Sequence, residues 1–320
     1  VRLGIQWNKN TEMRVHNSEK DRLPAVKRAR GYRVYAADGT RYIDFFLNGG
    51  RALTGHRPNG VLQVLKSTAE RGLWAEYPGA WRKKADRLLL QLYPEVGEVF
   101  YFPNLESALQ ALQKLRIGPS ESVESVALAD TPFAFHSGEP ERSGRDESLS
   151  TVVFRRPFAL TDEQQQKLAQ GVYGPYFIPL IPFPGRFLPV PLCRLRSSEA
   201  SGDNSSRSAR FSAPAEPHEL SPVLFHLLIK SVAELLRFQA RVFTSGVTSK
   251  WNRFDLPGLQ RYGPYLKFER NERDYYRLQG RMLEKGVLLP PDVHTPAVIP
   301  AEFTDGEVLP LIRECRESKE

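Results

Sequence analysis

Few side chains in this sequence stand in settings where they could do chemistry. A lysine held in an apolar site can form an imine with a carbonyl compound. Lys230 lies inside the apolar helical stretch 221–243. A lysine there ordinarily runs its stem along apolar surface and keeps its tip in water. Asn104 and Glu106 follow the apolar run Val99-Phe100-Tyr101-Phe102 and open a helix with Ala108, Ala111, Leu112 and Leu115 on its inner face. Asparagine caps helices, and an acid suits the positive end of the helix dipole. His56, in Gly55-His56-Arg57-Pro58, reads as a hydrogen-bonded support of its loop, and His136, in a Ser/Gly-rich loop, as a surface residue. Cys193 and Cys315 are the only cysteines. They are too few for a disulfide framework and lack metal-ligand spacing, so no metal site and a reducing, cytoplasmic setting are expected.

The elements that must position these groups are partly legible. Gly31-Tyr32-Arg33-Val34-Tyr35 and Arg41-Tyr42-Ile43-Asp44-Phe45 are β-rich and flank Asp38-Gly39, so residues 24–46 read as a hairpin. An amphipathic helix is expected near Asn59–Arg71, and a second over 82–92 with Ala85, Leu88, Leu89 and Leu92 on one face. Val99–Phe102 is a short buried strand, ended by Pro103-Asn104 and followed by the helix Glu106–Arg116. Residues 173–193 are rich in proline and aromatics, whereas 197–217 hold seven serines and read as a flexible loop. A buried helix is expected over 221–243. Asp274–Lys285 is helical, with Tyr275, Leu278 and Met282 on one stripe, and Gly286 ends it before the strand Val287-Leu288-Leu289. No internal repeat is visible.

With 320 residues, 41% hydrophobic and 26% charged, the composition is that of a soluble globular protein of one large or two smaller domains. No apolar run is long enough to span a membrane, and the N-terminal residues lack the apolar core of a signal peptide. The net charge of +8 is spread through the chain, although residues 1–40 carry nine basic residues against four acids. No RNA-binding sheet signature, zinc-finger spacing or basic helix with heptads accompanies that charge, so a solvated basic surface is expected over a nucleic-acid site.

The segment GYRVYAADGTRYIDFFLNGGRALTGHRPNGV, with its lead-in RLPAVKRARG, resembles the N-terminal signature of class III pyridoxal-phosphate-dependent aminotransferases. KGVLLPPDVHTPAVIPAEFTDGEV resembles the C-terminal pattern of the glutamate-1-semialdehyde aminomutase subgroup. Together the likeness covers about 24–116 and 220–315. It implies an α/β protein of the pyridoxal-phosphate-dependent transferase fold type I. The large domain would be reduced, with a mainly parallel sheet, and a small α+β domain would come from both chain ends. The corresponding division is 1–60 for the N-terminal part of the small domain, 61–243 for the truncated large domain, and 244–320 for the C-terminal part. The resemblance also implies a homodimer with its sites at the subunit interface.

In that family the cofactor acts as an electron sink, and the protein binds and orients it. The family's phosphate cradle, Asn-Ser-Gly-Thr-Glu-Ala, aligns with Phe102-Pro103-Asn104-Leu105-Glu106-Ser107. Both hydroxyls are replaced, Pro103 removes an N–H donor, and Glu106 remains. The stacking aromatic followed by histidine aligns loosely with Phe133-Ala134-Phe135-His136, which makes Asn104, Glu106, Phe135 and His136 the vestigial cofactor-binding positions. The strand that should carry the acid for the pyridine nitrogen, Tyr176–Phe183, has no acid. No lysine occurs between Lys167 and Lys230, so the imine-forming lysine is absent unless Lys230 replaces it. The expected function is a degenerate aminotransferase-fold protein without bound cofactor, serving as a binding or scaffold protein for an unidentified protein or small molecule. The alternative is a divergent pyridoxal-phosphate-dependent aminotransferase or aminomutase-like enzyme.

Overall fold

The computed structural model describes residues 23–116, 127–130, 151–170, 175–183, 185, 187–196 and 220–317. The chain begins with strands β1 (Val26–Arg30), β2 (Arg33–Ala36) and β3 (Arg41–Asp44), then helices α1 (Val61–Glu70) and α2 (Trp81–Leu92). Next come β4 (Val96–Phe102), α3 (Leu105–Arg116), β5 (Ala127–Asp130), β6 (Thr151–Arg155), α4 (Asp162–Ala169), β7 (Tyr176–Pro179) and β8 (Val190–Leu195). The long helix α5 (Pro222–Thr244) and short α6 (Val247–Trp251) lead to β9 (Leu259–Tyr262), β10 (Tyr265–Phe268) and α7 (Glu272–Glu284). Strands β11 (Val287–Leu288) and β12 (Ala297–Val298) and helix α8 (Asp305–Glu317) complete the order.

Residues 24–46 form two hairpins rather than one. The expected turn at Asp38-Gly39 joins β2 to β3, and Asp38 Oδ1 accepts from Thr40 N at 2.9 Å. An earlier turn at Gly31-Tyr32 folds β1 back on β2. Strand β11 then adds in parallel to β3, giving the order β1-β2-β3-β11. The two chain ends therefore meet in one sheet. An ion pair crosses the same junction: Arg33 Nε and Nη2 donate to Glu307 at 2.6 and 2.7 Å. A three-stranded sheet, β12-β10-β9, packs into the same core with Phe45, Phe254, Tyr275, Leu278 and Met282.

The central sheet runs β4-β8-β7-β6-β5 and is mixed. β5, β6 and β7 are parallel, whereas β8 is antiparallel to both β7 and β4. The connection from Leu180 to Pro189 explains the reversal, because a parallel return needs a crossover of a dozen or more residues, usually a helix. All four residues of β7 are buried, as expected for a strand covered on both faces. On one side α2 and α5 close over the sheet, where Tyr101 meets Phe225 edge to face at 5.0 Å. On the other, Ala108, Ala111 and Leu112 of α3 pack on Phe100, Phe102, Tyr176 and Ile178. Residues 197–217 and 133–138 lie outside the described residues. Among the described residues no helix is long and apolar enough to cross a membrane, and no acid, histidine or cysteine cluster could hold a metal ion.

Candidate functional site

Open α/β sheets place ligands in the crevice beyond the carboxyl ends of their parallel strands. Here those ends are Asp130, Arg155 and Pro179, and the chain beyond Arg155 and beyond Pro179 turns inward. Arg156 is 7% exposed and sits directly after β6. Its Nη1 donates to Gly49 O, and its guanidinium lies over the rings of Tyr265 (5.5 Å) and Phe154 (5.6 Å). Leu180, Ile181 and Phe183 after β7 are also buried. The turn holding Gly49 closes over them. A Cβ on Gly50 would stand 3.1 Å from Tyr265 Cε1 and 3.2 Å from Leu180 Cδ2, and its φ of 94° is one that side chains rarely adopt.

Phe158 continues the filling. Its ring meets Phe238 at 5.8 Å, Trp251 at 5.9 Å and Phe243 at 6.4 Å. Its backbone has a φ of 62°, strained for an aromatic residue. Its carbonyl presses on the β9–β10 turn, where a Cβ on Gly263 would come within 2.1 Å of Phe158 O. Arg156 and Phe158 thus join the central sheet to the elements built from the chain ends.

Of the positions singled out in the sequence, Asn104 and Glu106 follow β4, which runs in the same direction as β7, so they stand at the same edge of the sheet but make only contacts of their own helix among the described residues. Asn104 is exposed, and its Oδ1 accepts from Ser107 N at 2.8 Å, the capping contact its type suggests. Glu106 is exposed and accepts from Gln110 Nε2 at 3.3 Å. Phe135 and His136 lie outside the described residues. Lys230 faces α1 instead: its Nζ is 2.8 Å from Glu234 Oε1, and a Cβ on Gly60 would come within 2.9 Å of its Cε. Its side chain is 18% exposed, so its tip rests on a carboxylate rather than in open water.

His56 supports its loop. Its Nε2 is 2.7 Å from Oδ2 of the buried Asp44, whose Oδ1 accepts from Phe46 N and Leu47 N. Its own N–H donates to Gly31 O at 2.8 Å. Both cysteines are free thiols, and burial pushes both up, Cys315 to about 11 and Cys193 further, so neither is a nucleophile near neutral pH.

No protein-family model matches the sequence. Over 95 residues the chain is 37% identical to an uncharacterized protein of Borreliella burgdorferi, covering 30% of this chain and 35% of that one. Over 93 residues it is 33% identical to glutamate-1-semialdehyde 2,1-aminomutase 1 of Bacillus cereus, covering 28% of this chain and 22% of the aminomutase. The chain thus spans about a third or less of the curated relatives it matches. In structure it is similar to the ornithine aminotransferase of Plasmodium yoelii, with a TM-score of 0.60 at 12% identity over 93% of this chain and 94% of that one. It is likewise similar to a glutamate-1-semialdehyde aminomutase of Pseudomonas aeruginosa PAO1, with a TM-score of 0.60 at 16% identity over 91% and 87%. The chain has the fold type I of pyridoxal-phosphate-dependent aminotransferases.

Within this aminotransferase fold, Arg156 is the residue that sequence reasoning missed. The visible signal is the pair Arg155-Arg156 closing an apolar strand, which pattern alone assigns to the surface. Instead Arg155 pairs with Glu95 and lies 4.5 Å from the centroid of the Tyr93 ring, while Arg156 points into the crevice between domain elements.

Proposed function

We propose that this chain is a binding scaffold built on the aminotransferase fold and does not carry out imine chemistry with pyridoxal phosphate. The observation that carries the reading is the crevice itself, filled by Arg156, Phe158 and Leu180 and closed by Gly50 and Gly263 at contact distance.

When bound, pyridoxal phosphate supplies an electron sink for carbanion chemistry. The residues present do not fit it. A phosphate at a helix N-terminus needs free N–H groups and hydroxyls. The start of α3 offers Pro103, with no N–H, and Leu105, with no hydroxyl, while the Asn104 side chain is committed to its own helix. Lys230 is held by Glu234 on the α1 side of α5. No reaction step is derived through the cofactor.

In this reading the scaffold is a homodimer that offers its surface to a protein or small-molecule partner. The exposed Leu62, Trp74 and Tyr77, all between 50 and 61% accessible in one protomer, support a covered face in the assembly. Sedimentation is expected to show a dimer for the full chain and a monomer for the Trp74→Ser, Tyr77→Ser double variant.

The deciding test is absorption after incubation with pyridoxal phosphate and dialysis, then borohydride reduction and peptide mapping. The expected result is no retained imine band and no modified lysine. A retained band with a single modified lysine overturns the scaffold reading and favours a divergent aminotransferase or aminomutase-like enzyme, with Lys230 the first position to map.

A further inference from the structure

Helices α1, α2 and α5 enclose an open groove of about 360 Å³ that no part of the scaffold reading uses. Its floor is apolar: Val64 from α1, Leu88 from α2, and Ile229 and Ala233 from α5. Arg71, directly after α1, and Lys84 on α2 also line it, as does Lys230, whose charge is matched by Glu234. Among the described residues neither Arg71 nor Lys84 has an acidic partner.

The fields of both cations reach one group. His226 is held below the ordinary imidazole range, first by burial and then by Arg71 and Lys84. Its tautomer is set by its neighbour. Thr68 Oγ1 donates its one hydrogen to Val64 O at 2.8 Å, so the contact of 3.0 Å to His226 Nδ1 is donated by the imidazole. His226 is therefore a neutral ring with Nδ1 protonated and Nε2 bare, held edge-on to Trp81 at 5.7 Å.

Two unmatched cations beside an apolar floor form a site lacking its counter-charge. We infer that this groove binds a small monocarboxylate with an apolar tail, the carboxylate between Arg71 and Lys84 and the tail over Val64, Leu88, Ile229 and Ala233. The guanidinium fork matches a carboxylate, and an ammonium adds a point charge. A bare imidazole lone pair repels further anionic oxygens, which disfavours a phosphate dianion. The inference goes beyond the scaffold reading and does not depend on whether the strand-end crevice takes a cofactor.

The test is titration of the full chain with octanoate, butanoate, octylammonium and inorganic phosphate, read by calorimetry and by the His226 imidazole signals in NMR. Octanoate is expected to bind in preference to phosphate and octylammonium, tightening up to about fourfold for each methylene added from butanoate. Arg71→Met and Lys84→Met are each expected to weaken octanoate about tenfold, the loss of one charge-assisted contact. Both side chains are exposed, so the variants keep the wild-type melting temperature. Bound carboxylate favours the charged imidazole, so the pKa of His226 rises on loading. Equal binding of octylammonium and octanoate would reveal an unspecific apolar patch and overturn the inference. Equal binding of butanoate and octanoate, tighter binding of phosphate, or an unmoved His226 would overturn it too, as would no binding at millimolar concentration.

Discussion

The junction of the two chain ends and the crevice at the strand ends are both buried, but their polar groups are handled differently. At the junction the polar side chains of Tyr275, Gln279 and Arg33 each answer a geometric need. Tyr275 Oη and Gln279 Nε2 both donate to Pro290 O, at 2.8 and 2.6 Å, and Arg33 grips Glu307 with two nitrogens. Around the sheet and crevice the fit is looser. Tyr93 Oη beneath the sheet, Ser231 Oγ on α5 and Trp251 Nε1 beside Phe158 are buried without a hydrogen-bond partner among the described residues. Phe158 also holds a left-handed backbone that side chains avoid. Orphaned polar atoms and strained backbone concentrate at functional sites, where the surrounding structure holds them in place. Here Trp251 and Phe158 stand beside a crevice packed with hydrocarbon and guanidinium. The contrast separates a junction whose polar groups are paired from a crevice whose backbone is strained.

Substitutions can break that contrast, and the buried ring at the junction should suffer most. Tyr275→Ala removes a fully buried ring and one of the two donors to Pro290 O, with an expected loss of about 3–5 kcal/mol in urea unfolding. A loss under about 1 kcal/mol would show that the junction is not the stable half. The crevice is better probed by a pair. Gly31 and Gly263 share a φ of 56°, but only Gly263 has an atom within 4 Å of an added Cβ. Gly31→Ala should cost about 1–2 kcal/mol from backbone conformation alone. Gly263→Ala should cost about 1–3 kcal/mol more, because Phe158 O must move. Equal costs would mean that the 156–160 segment yields freely.

Arg156→Met keeps the length of the side chain but strands Gly49 O, and about 1–3 kcal/mol is expected from the same unfolding measurement. An effect as small as that of Gly31→Ala is expected at Glu307. The Arg33 guanidinium beside it holds its carboxyl down at about 2, well below the ordinary glutamate value. A depressed folded pKa gives stability that is fully present above the unfolded pKa near 4.5 and lost as pH falls towards 2. Glu307→Gln should therefore cost about 1–2 kcal/mol at pH 7, and the gap to wild type should close across that window. A gap that persists below pH 2 would assign the effect to packing.

Much of the fold was legible because its signals are local. The Asp38-Gly39 turn, the stripe Tyr275–Leu278–Met282 and the run Val99–Phe102 each declare themselves within a few residues, and each is where the pattern put it. β9 and β10 were not legible: like β2 and β3 they are four residues long, but no Asp-Gly or Asn-Gly turn joins them. Nor was the reversal of β8, which depends on the length of a loop rather than on its residues. α4 had a readable start in Thr161-Asp162-Glu163-Gln164, a capping box in which Thr161 accepts from Gln164 N and Gln164 reaches back to Thr161 N. For the site, the Lys230–Glu234 pair is local and could be read at i,i+4 spacing. Arg156 could not, because Gly49 and Tyr265 reach it from two distant parts of the chain.

The parallel pairing of β3 with β11 also sets a schedule for synthesis. Ile43 and Phe45, buried in the finished protein, pair with Val287 and Leu288, which are made some 240 residues later. At about 5–20 residues per second, the first hairpin emerges roughly ten to fifty seconds before the strand that completes its sheet. Through that interval β3 waits for its partner strand, so the sheet that joins the two ends of the chain is completed only late in synthesis.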